Sequence, residues 1–233
     1  MEITLKQLGL DFLTMLFPAV CSLCGGPKTR REPFICSTCL VQLPREKNYL
    51  GVDNHTAARL LGMFPFVEAY SFLSFSKKGH VRNLIHKVKY GHQRRLAFQL
   101  GVWFASEVLI HIRDRFETIV PVPLHPDKQK SRGYNQSLEI AAGVSHVTAC
   151  PISEALQRVH RTKTQTQLSR WERFENTSNE FSIVNPDGIK GKPVLLIDDI
   201  ITTGATMAGS AAPLLANGAD GIIVAAIGLT QKA

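Results

Sequence analysis

The most constraining feature of the chain is the stretch at residues 194–206, which reads VLLIDDIITTGAT. Four apolar residues typical of buried strands come first, two adjacent aspartates follow, and small hydroxyl-bearing residues around one glycine complete it. A helix-like segment, residues 206–216, begins directly afterwards. The pattern therefore predicts a buried strand, an acidic strand end and a tight turn into a helix, as in α/β folds.

Strand-like and helix-like segments alternate along most of the chain. Buried apolar strands that alternate with helices predict a parallel sheet of α/β type. Ligands of such sheets bind beyond the carboxyl ends of the strands, which is where we expect Asp198 and Asp199. The predicted strands are residues 66–76, 118–123, 181–184, 194–197 and 221–229. One helix is predicted to begin at residue 81, and further helices are predicted over residues 94–113, 135–142 and 206–216. Residues 154–159 are predicted to form a short strand or a helix end.

The turn after the acidic residues has the chemistry of a phosphate site. Backbone N–H groups and hydroxyl donors at the start of a helix attract a phosphate. Asp198 and Asp199 would repel that phosphate, so we expect them to hold what lies beside it, either sugar hydroxyls or a hydrated Mg²⁺. A phosphate followed by a sugar diol describes a 5-phosphoribosyl group. The turn is not a Walker A loop, because the lysine and glycine spacing of that loop is absent.

The location of the protein is expected to be cytoplasmic. The apolar turns near residues 8–16 are interrupted by Asp11 and lack a small-residue cleavage site, so no secretion signal is predicted. The longest apolar stretch, residues 96–112, contains Gln99, Glu107 and His111, which favours a buried amphipathic helix over a membrane span.

Four of the five cysteines form two C-x-x-C pairs separated by eleven residues. Two such pairs supply four thiolates for tetrahedral zinc, and because no position is left for water the site is expected to be structural. Two disulfides are the alternative, which a reducing compartment disfavours. Apolar residues at helical spacing predict a helix over residues 3–17 that packs on this module; a membrane-surface helix is its alternative. The predicted zinc ligands are Cys21, Cys24, Cys36 and Cys39.

The charge of the chain is biased towards basic residues. There are 27 lysines and arginines against 19 acids, a formal net charge of +8. Residues 80–135 hold ten basic and four acidic residues, and residues 158–173 hold five and one. A phosphate-rich partner would suit this excess, and a solvated basic face is the alternative.

Several motifs resemble those of known proteins. The thirteen residues at 194–206 are similar to the diphosphoribosyl-binding motif of type I phosphoribosyltransferases. The whole chain, with its four-Cys module, resembles the ComF family of competence-associated proteins. The motifs that carry this resemblance are PVPLHP at 121–126, RGYNQ at 132–136, QTQLSR at 165–170 and KYG at 89–91, and the small departures are Lys128, Tyr134, Gln167 and Glu180.

The resemblance implies a type I phosphoribosyltransferase-like parallel sheet flanked by helices, and it implies roles for individual residues. Asp198 and Asp199 would be the catalytic acids, holding ribose hydroxyls or Mg²⁺ that arrives with phosphoribosyl diphosphate. Basic residues would hold the diphosphate or belong to a lid that excludes water. The implied phosphoribosyl-binding residues are Thr202, Thr203, Gly204, Ala205 and Thr206, and the implied diphosphate and lid residues are Lys130, Arg132, Gly133, Arg161, Lys163 and Arg170.

Three segments are predicted: residues 1–60 with the N-terminal helix and zinc-finger module, a connecting strand and helix segment at 61–115, and a phosphoribosyltransferase-like domain at 116–233. Basic residues of the helices within the second segment are expected to bind DNA. Lys89, with Tyr90 and His86, has two open roles, a half-exposed helix face or a wall of the donor site. The predicted DNA-binding residues are Lys87, Lys89, Arg94 and Arg95.

Three functions are open at this point. The first is a ComF-like protein that binds phosphoribosyl diphosphate and single-stranded DNA in natural transformation, with a DNA-uptake helicase or the recombination machinery as further partners. The second is an active phosphoribosyltransferase of nucleotide metabolism, and the third is a non-catalytic sensor of phosphoribosyl diphosphate. No set of residues that would read an acceptor is evident, so catalysis is not predicted either way.

Overall fold

The computed structural model describes residues 19–29, 32, 34–46, 54–76, 79–90, 93–159 and 180–231. The chain divides into two compact units, Met1–Leu43 and Pro44–Ala233. The predicted division into segments 1–60, 61–115 and 116–233 stays a prediction.

The first unit contains a tight turn that carries the first cysteine pair. Val20 and Pro27 form an antiparallel bridge, and the N–H of Cys21 donates to the carbonyl of Gly26 at 2.8 Å. Gly25, directly after the first pair, has a φ of 74°, a backbone conformation that glycine adopts readily. Helix α1, Ser37–Gln42, starts after Cys36 as its N-cap. The helix predicted over residues 3–17 lies outside the described residues.

The second unit is an α/β structure. In the part of it that the structure describes, the strands are β1 (Glu68–Phe75), β2 (Thr118–Pro121), β3 (Leu156–Arg158), β4 (Phe181–Ile183), β5 (Pro193–Ile201) and β6 (Gly221–Thr230). The helices are α2 (His55–Leu60), α3 (His80–Tyr90), α4 (Arg94–Glu107), α5 (Pro126–Arg132), α6 (Gln136–Thr148) and α7 (Ala205–Ala216), with a 3₁₀ helix at Leu109–Arg115.

Four of these strands form one parallel sheet in the order β1, β6, β5, β2. Val194 and Leu196 pack in a core with α7, while α6 contacts β2 and β5 and is itself covered by α4. Because side chains alternate along a strand, Leu195 and Ile197 face the other way and are also fully buried. The predicted parallel sheet flanked by helices, with a four-Cys cluster in the N-terminal unit, is confirmed.

Strand β5 is longer than the sequence predicts, and this places the acidic residues inside its last part. Its pairing with β2 stops at Ile197, whereas its pairing with β6 continues to Ile201. The prediction that the strand ends at Ile197 and that Asp198 lies beyond it is therefore wrong. Since β2 is no longer alongside, the acidic residues border an open space at the carboxyl edge of the sheet.

Two predicted strands lie outside the main sheet. Strands β3 and β4 pair with each other in antiparallel fashion, which resolves residues 154–159 as a strand. The ion pair of Arg158 with Glu180, at 3.0 Å, closes the far end of this pair.

The sequence also misses α5, and it extends the helix at residues 94–113 too far, because the α-helix ends at Glu107 and a 3₁₀ helix follows. Within the described ranges no helix combines the length and apolar character needed to cross a membrane.

Candidate functional site

A cavity of about 220 Å³ opens at the carboxyl edge of the sheet, where β2 and β5 separate. Four basic and two acidic side chains contribute to its wall, so the cavity suits a ligand with several negative charges. Ligands of parallel sheets bind at this edge. The lining residues are Lys89, Val122, Pro123, Leu124, Lys128, Arg132, Gln136, Ser137, Arg158, Asp198, Asp199, Ile200, Thr202 and Thr206.

The two aspartates at the centre of the cavity are held by different partners. The hydroxyl of Ser137, in the first turn of α6, donates to Oδ1 of Asp198 at 2.7 Å, and the N–H of Asp199 donates to the same oxygen at 2.8 Å. Oδ1 of Asp199 pairs with Nζ of Lys89 at 3.0 Å. Each carboxylate is therefore fixed through one oxygen.

The environment of Asp198 makes its charged form unfavourable. Burial is the main cause and the neighbouring charge of Asp199 the second; together they raise the pKa of Asp198 to about 7. The hydroxyl of Ser137, the N–H of Asp199 and the charge of Lys89 act in the opposite direction. A further hydroxyl group that donates a hydrogen bond to Asp198 would stabilise its carboxylate without adding a charge.

Lys89 belongs to this site although it lies on α3, far from the acids in sequence. Its side chain is 22% exposed, and its amino group lies against the buried carboxylate of Asp199. Of the two roles left open by the sequence, its position supports the wall of the cavity over a half-exposed helix face. Tyr90, the next residue, is exposed, and the guanidinium of Arg132 lies 5.2 Å from the centre of its ring.

The turn after β5 leads directly into α7. Gly204 has a φ of 91° and precedes the first residue of the helix, whose N–H groups are open at this end. The N–H of Ala205 is 3.4 Å from Oγ1 of Thr203. Thr202 and Thr206 border the cavity. A helix N-terminus and two hydroxyls therefore lie at the turn for which the sequence predicts a phosphate site, and that site stays a prediction.

Arg59 braces this turn from the side of α2. Its Nη1 donates to the carbonyl of Thr202 and, at 3.2 Å, to the hydroxyl of Thr230, while its Nη2 donates to the carbonyl of Thr230 at 2.7 Å. The hydroxyl of Thr230 also reaches the Thr202 carbonyl at 3.2 Å. Since C=O and N–H of a trans peptide point in opposite directions, these bonds aim the N–H of Thr203 away from Arg59.

The structure brings some of the predicted diphosphate residues to the cavity and leaves others out. Arg132 lines it, and Lys128, which the sequence treats only as a departure from the family pattern, lines it as well. Lys130 and Gly133 are exposed and are not lining residues; both belong to the short helix α5 and its left-handed cap rather than to a loop. The predicted lid residues Arg161, Lys163 and Arg170 lie outside the described residues.

Sequence reasoning missed several residues of the site. Arg158, at the end of β3, lines the cavity, and Ser137 and Gln136 contribute from α6. Ser137 directly follows the RGYNQ motif, so its proximity to that motif was the available signal. Arg59 carries no sequence signal, because its contacts with Thr202 and Thr230 span more than 140 residues of chain.

The predicted DNA-binding residues lie on α3 and α4. Arg95 is exposed and Lys87 is half-buried. Arg94 is also exposed, donates to the carbonyl of Gly133 and lies 5.4 Å from the centre of the Tyr134 ring.

The four predicted metal ligands form a cluster in the first unit. The sulfur atoms of Cys21, Cys24, Cys36 and Cys39 all lie within 4.8 Å of one another, which fits one tetrahedral metal ion. Burial acts to raise the pKa of Cys21, but N–H groups of Cys24, Cys36 and Leu23 outweigh it and lower that pKa to about 6. These N–H groups stabilise the thiolate, the form of cysteine that binds metals.

Comparison with known proteins finds relatives among DNA utilization and competence proteins. A relative from Salmonella typhimurium, named DNA utilization protein YhgH, is 29% identical over 206 residues, which cover 86% of this chain and 80% of the relative. Competence protein F of Haemophilus influenzae is 39% identical over 130 residues, covering 53% and 57%. Competence protein ComFC of Bacillus subtilis is 24% identical over 199 residues, covering 85% and 72%. The chain is thus similar to competence proteins of the ComF family. A scan against protein-family models finds no match.

Two solved structures resemble part of this chain. They are an allosteric regulatory enzyme of purine biosynthesis and the glutamine phosphoribosylpyrophosphate amidotransferase of B. subtilis, at 22% and 21% identity, each with a TM-score of 0.43. Each match covers 60% of this chain, and the chain spans only 29% and 30% of their lengths. At this TM-score the description of the fold rests on the observed strand order and not on these two structures.

The turn at Gly204 gives a direct stability prediction. A Cβ at this position would lie 2.8 Å from Cδ2 of Leu60 and Sδ of Met63, at a φ that already disfavours side chains. Gly218 has nearly the same φ, 90°, but its Cβ would meet Lys190 at an ordinary 3.5 Å. We expect Gly204→Ala to lower the free energy of unfolding by about 1–3 kcal/mol more than Gly218→Ala, measured by urea denaturation. Equal losses would show that the turn is not packed against α2 and the segment after it.

Proposed function

We propose that this protein is a member of the ComF family that binds 5-phosphoribosyl diphosphate at the carboxyl edge of its sheet, binds single-stranded DNA on its basic surface, and acts in DNA uptake. The observation that carries the first part is that two aspartates and a turn leading into a helix N-terminus follow one another within nine residues at one cavity. The names of the relatives, DNA utilization protein and competence protein, support the second part.

The residues that line the cavity include three chemical groups that suit the three parts of this ligand. The 5′-phosphate would meet Thr202, Thr206 and the N–H groups at the start of α7, where no acidic side chain intrudes. The ribose hydroxyls would donate to Asp198 and Asp199. The diphosphate would face the basic side chains Lys128, Arg132 and Arg158, which also line the cavity. Each group thus offers the charge that its part of the ligand requires.

Mg²⁺ is expected to accompany the diphosphate. Its oxygen ligands would be diphosphate oxygens and water, since Mg²⁺ keeps several waters and binds substrate phosphates. Lys130, Arg161, Lys163 and Arg170 would add positive charge when the ligand is present. This proposal covers the donor half of a phosphoribosyl transfer and assigns no acceptor, so catalysis is not part of it.

A single-stranded nucleic acid would bind mainly through its phosphates. The exposed residues Arg94 and Arg95, together with Lys87 and the basic stretch at 158–173, supply the positive charge. Binding of this kind depends strongly on salt and weakly on base sequence.

The first test of the proposal is ligand-induced stabilisation. Phosphoribosyl diphosphate with Mg²⁺ should raise the melting temperature, because a ligand at about a hundred times its Kd stabilises the folded state by about 2.7 kcal/mol. Asp198→Ala removes a hydroxyl acceptor and should abolish the shift. Asp187→Ala, a change at an exposed aspartate that does not line the cavity, should preserve it. A wild-type protein that shows no shift at millimolar ligand would overturn the donor site.

The second test concerns the four-Cys cluster, which we propose holds a structural zinc ion. Purified protein should contain about one zinc per chain, because four thiolates complete its coordination. Cys36→Ser should lose the metal and expose the first unit to proteolysis, since zinc binding is coupled to folding. The control is Cys150→Ser, which changes a buried cysteine outside the cluster and should keep the zinc. Elemental analysis that finds well under one zinc in the wild type would refute the assignment.

The third test is the salt dependence of DNA binding. If about five phosphates are contacted, the logarithm of the binding constant for a labelled thirty-nucleotide strand should fall with the logarithm of salt at a slope of roughly −3 to −4. Replacing Arg161, Lys163 and Arg170 with alanine should flatten the slope by up to about two units. Replacing Lys190 and Lys192, which directly precede β5, with alanine should leave the slope unchanged. Binding that is absent at low salt, or indifferent to salt, would leave the sensor and enzyme functions.

A further inference from the structure

One face of helix α3 is exposed and combines positive charge with an aromatic ring. Arg82, His86 and Tyr90 follow one another at intervals of four residues, and all three are exposed. Residues at this spacing lie one above another on a helix, so these three side chains form a stripe about 12 Å long, the α3 stripe. The opposite side of the helix packs in the core through buried residues such as Val81 and Val88, which gives the stripe a fixed place on the fold.

Tyr90 is the aromatic member of the α3 stripe. It is 60% exposed although two neighbours contact its ring, and within the described ranges no other tyrosine, phenylalanine or tryptophan is exposed. The ring of His86 lies 4.8 Å away, and the guanidinium of Arg132 lies 5.2 Å from the centre of the Tyr90 ring. Arg132 is itself held by a hydrogen bond of 3.0 Å from its Nη1 to Oε1 of Gln136. The Tyr90 ring is therefore positioned before any ligand arrives, which lowers the entropy cost of binding.

The surroundings of the Tyr90 ring are basic. Lys89, which precedes Tyr90, and Arg132, which contacts its ring, both line the cavity at the carboxyl edge of the sheet. Arg94 and Arg95 at the start of α4 are exposed, and α3 and α4 contain no acidic residue before the last residue of α4. A ligand that suits this surface carries several negative charges and a flat aromatic group. Single-stranded DNA has both, because its phosphates are charged and its unpaired bases can stack on aromatic side chains.

We propose that the α3 stripe is a track for single-stranded DNA, in which Tyr90 stacks on one unpaired base beside the cavity and Arg82 contacts a phosphate. The inference rests on the proposed function, since it concerns the strand that the basic surface would bind. It adds a contact with a base to a surface that otherwise contacts phosphates. A base inside a duplex is already stacked on both faces, so the Tyr90 ring favours single strands.

The test separates the contribution of the bases from that of the phosphates. Fluorescence anisotropy compares a labelled thirty-nucleotide strand with an abasic strand of the same length and charge. Tyr90→Ala should weaken binding of the strand with bases by about fivefold to a hundredfold, because one stacking contact is lost, and should leave binding of the abasic strand unchanged. Tyr90→Phe keeps the ring and should retain the affinity.

The salt dependence distinguishes the two members of the stripe. Tyr90→Ala removes no charge, so its slope of log K against log salt should equal that of the wild type. Arg82→Ala removes one phosphate contact and should flatten the slope by about 0.7. The matched control is Val67→Ala, which shortens an exposed apolar side chain just before β1, at the amino edge of the sheet and so on the side away from the cavity. It should leave both affinities and the slope unchanged.

The outcomes separate this proposal from the proposed function. If the wild type and Tyr90→Ala bind the strand with bases equally well, the stacking role is refuted while DNA binding stands. If Tyr90→Ala weakens both strands to the same extent, Tyr90 acts only by supporting Arg132, and the proposal is refuted as well. If the wild type binds neither strand at low salt, DNA binding itself fails and the α3 stripe fails with it.

Discussion

The burial of β5 between two parallel neighbours is the constraint on which the site depends. Its four residues Val194 to Ile197 are fully buried, with β6 on one side and β2 on the other. Because parallel strands end at the same edge of a sheet, the polar residues after this apolar run must appear at that edge. Pairing with β2 stops one residue before Asp198, whereas pairing with β6 continues, so the acids are both held by the sheet and open to a cavity.

This arrangement brings opposite electrostatic demands close together. The acids at the end of β5 need donors, and they obtain them from Ser137 and Lys89. The turn that follows offers donors, and the bonds from Arg59 to the backbone of Thr202 and Thr230 fix its orientation. Hydroxyl binding and phosphate binding can therefore be adjacent without interference, since each region has its own supporting contacts.

The sequence predicts the parts of this structure that depend on local pattern. The apolar run of β5, the turn with Gly204 and the helix after it follow from residue spacing, and so do the paired cysteines. The end of β5 was predicted too early, because the polar Asp198 and Asp199 conceal a strand that continues through pairing with β6.

The parts that the sequence does not predict depend on contacts between distant residues. Lys89 reaches Asp199 from a separate helix, and only the packing of α3 reveals it. Strands β3 and β4 have the composition of sheet strands, yet they pair with each other, because strand pairing is a property of the fold and not of either segment. Lys130 and Arg132 share a basic segment, but the helix α5 brings only Arg132 to the cavity.

The most direct test of the account is a crystal structure of the protein with phosphoribosyl diphosphate and Mg²⁺. The account predicts the 5′-phosphate within hydrogen-bond distance of N–H groups in the turn at residues 202–206. It also predicts the two ribose hydroxyls on Asp198 and Asp199, with the Lys89 contact retained and the metal on the diphosphate. A ligand bound elsewhere, or one whose diphosphate occupies the turn while the ribose is turned away from the acids, would contradict it.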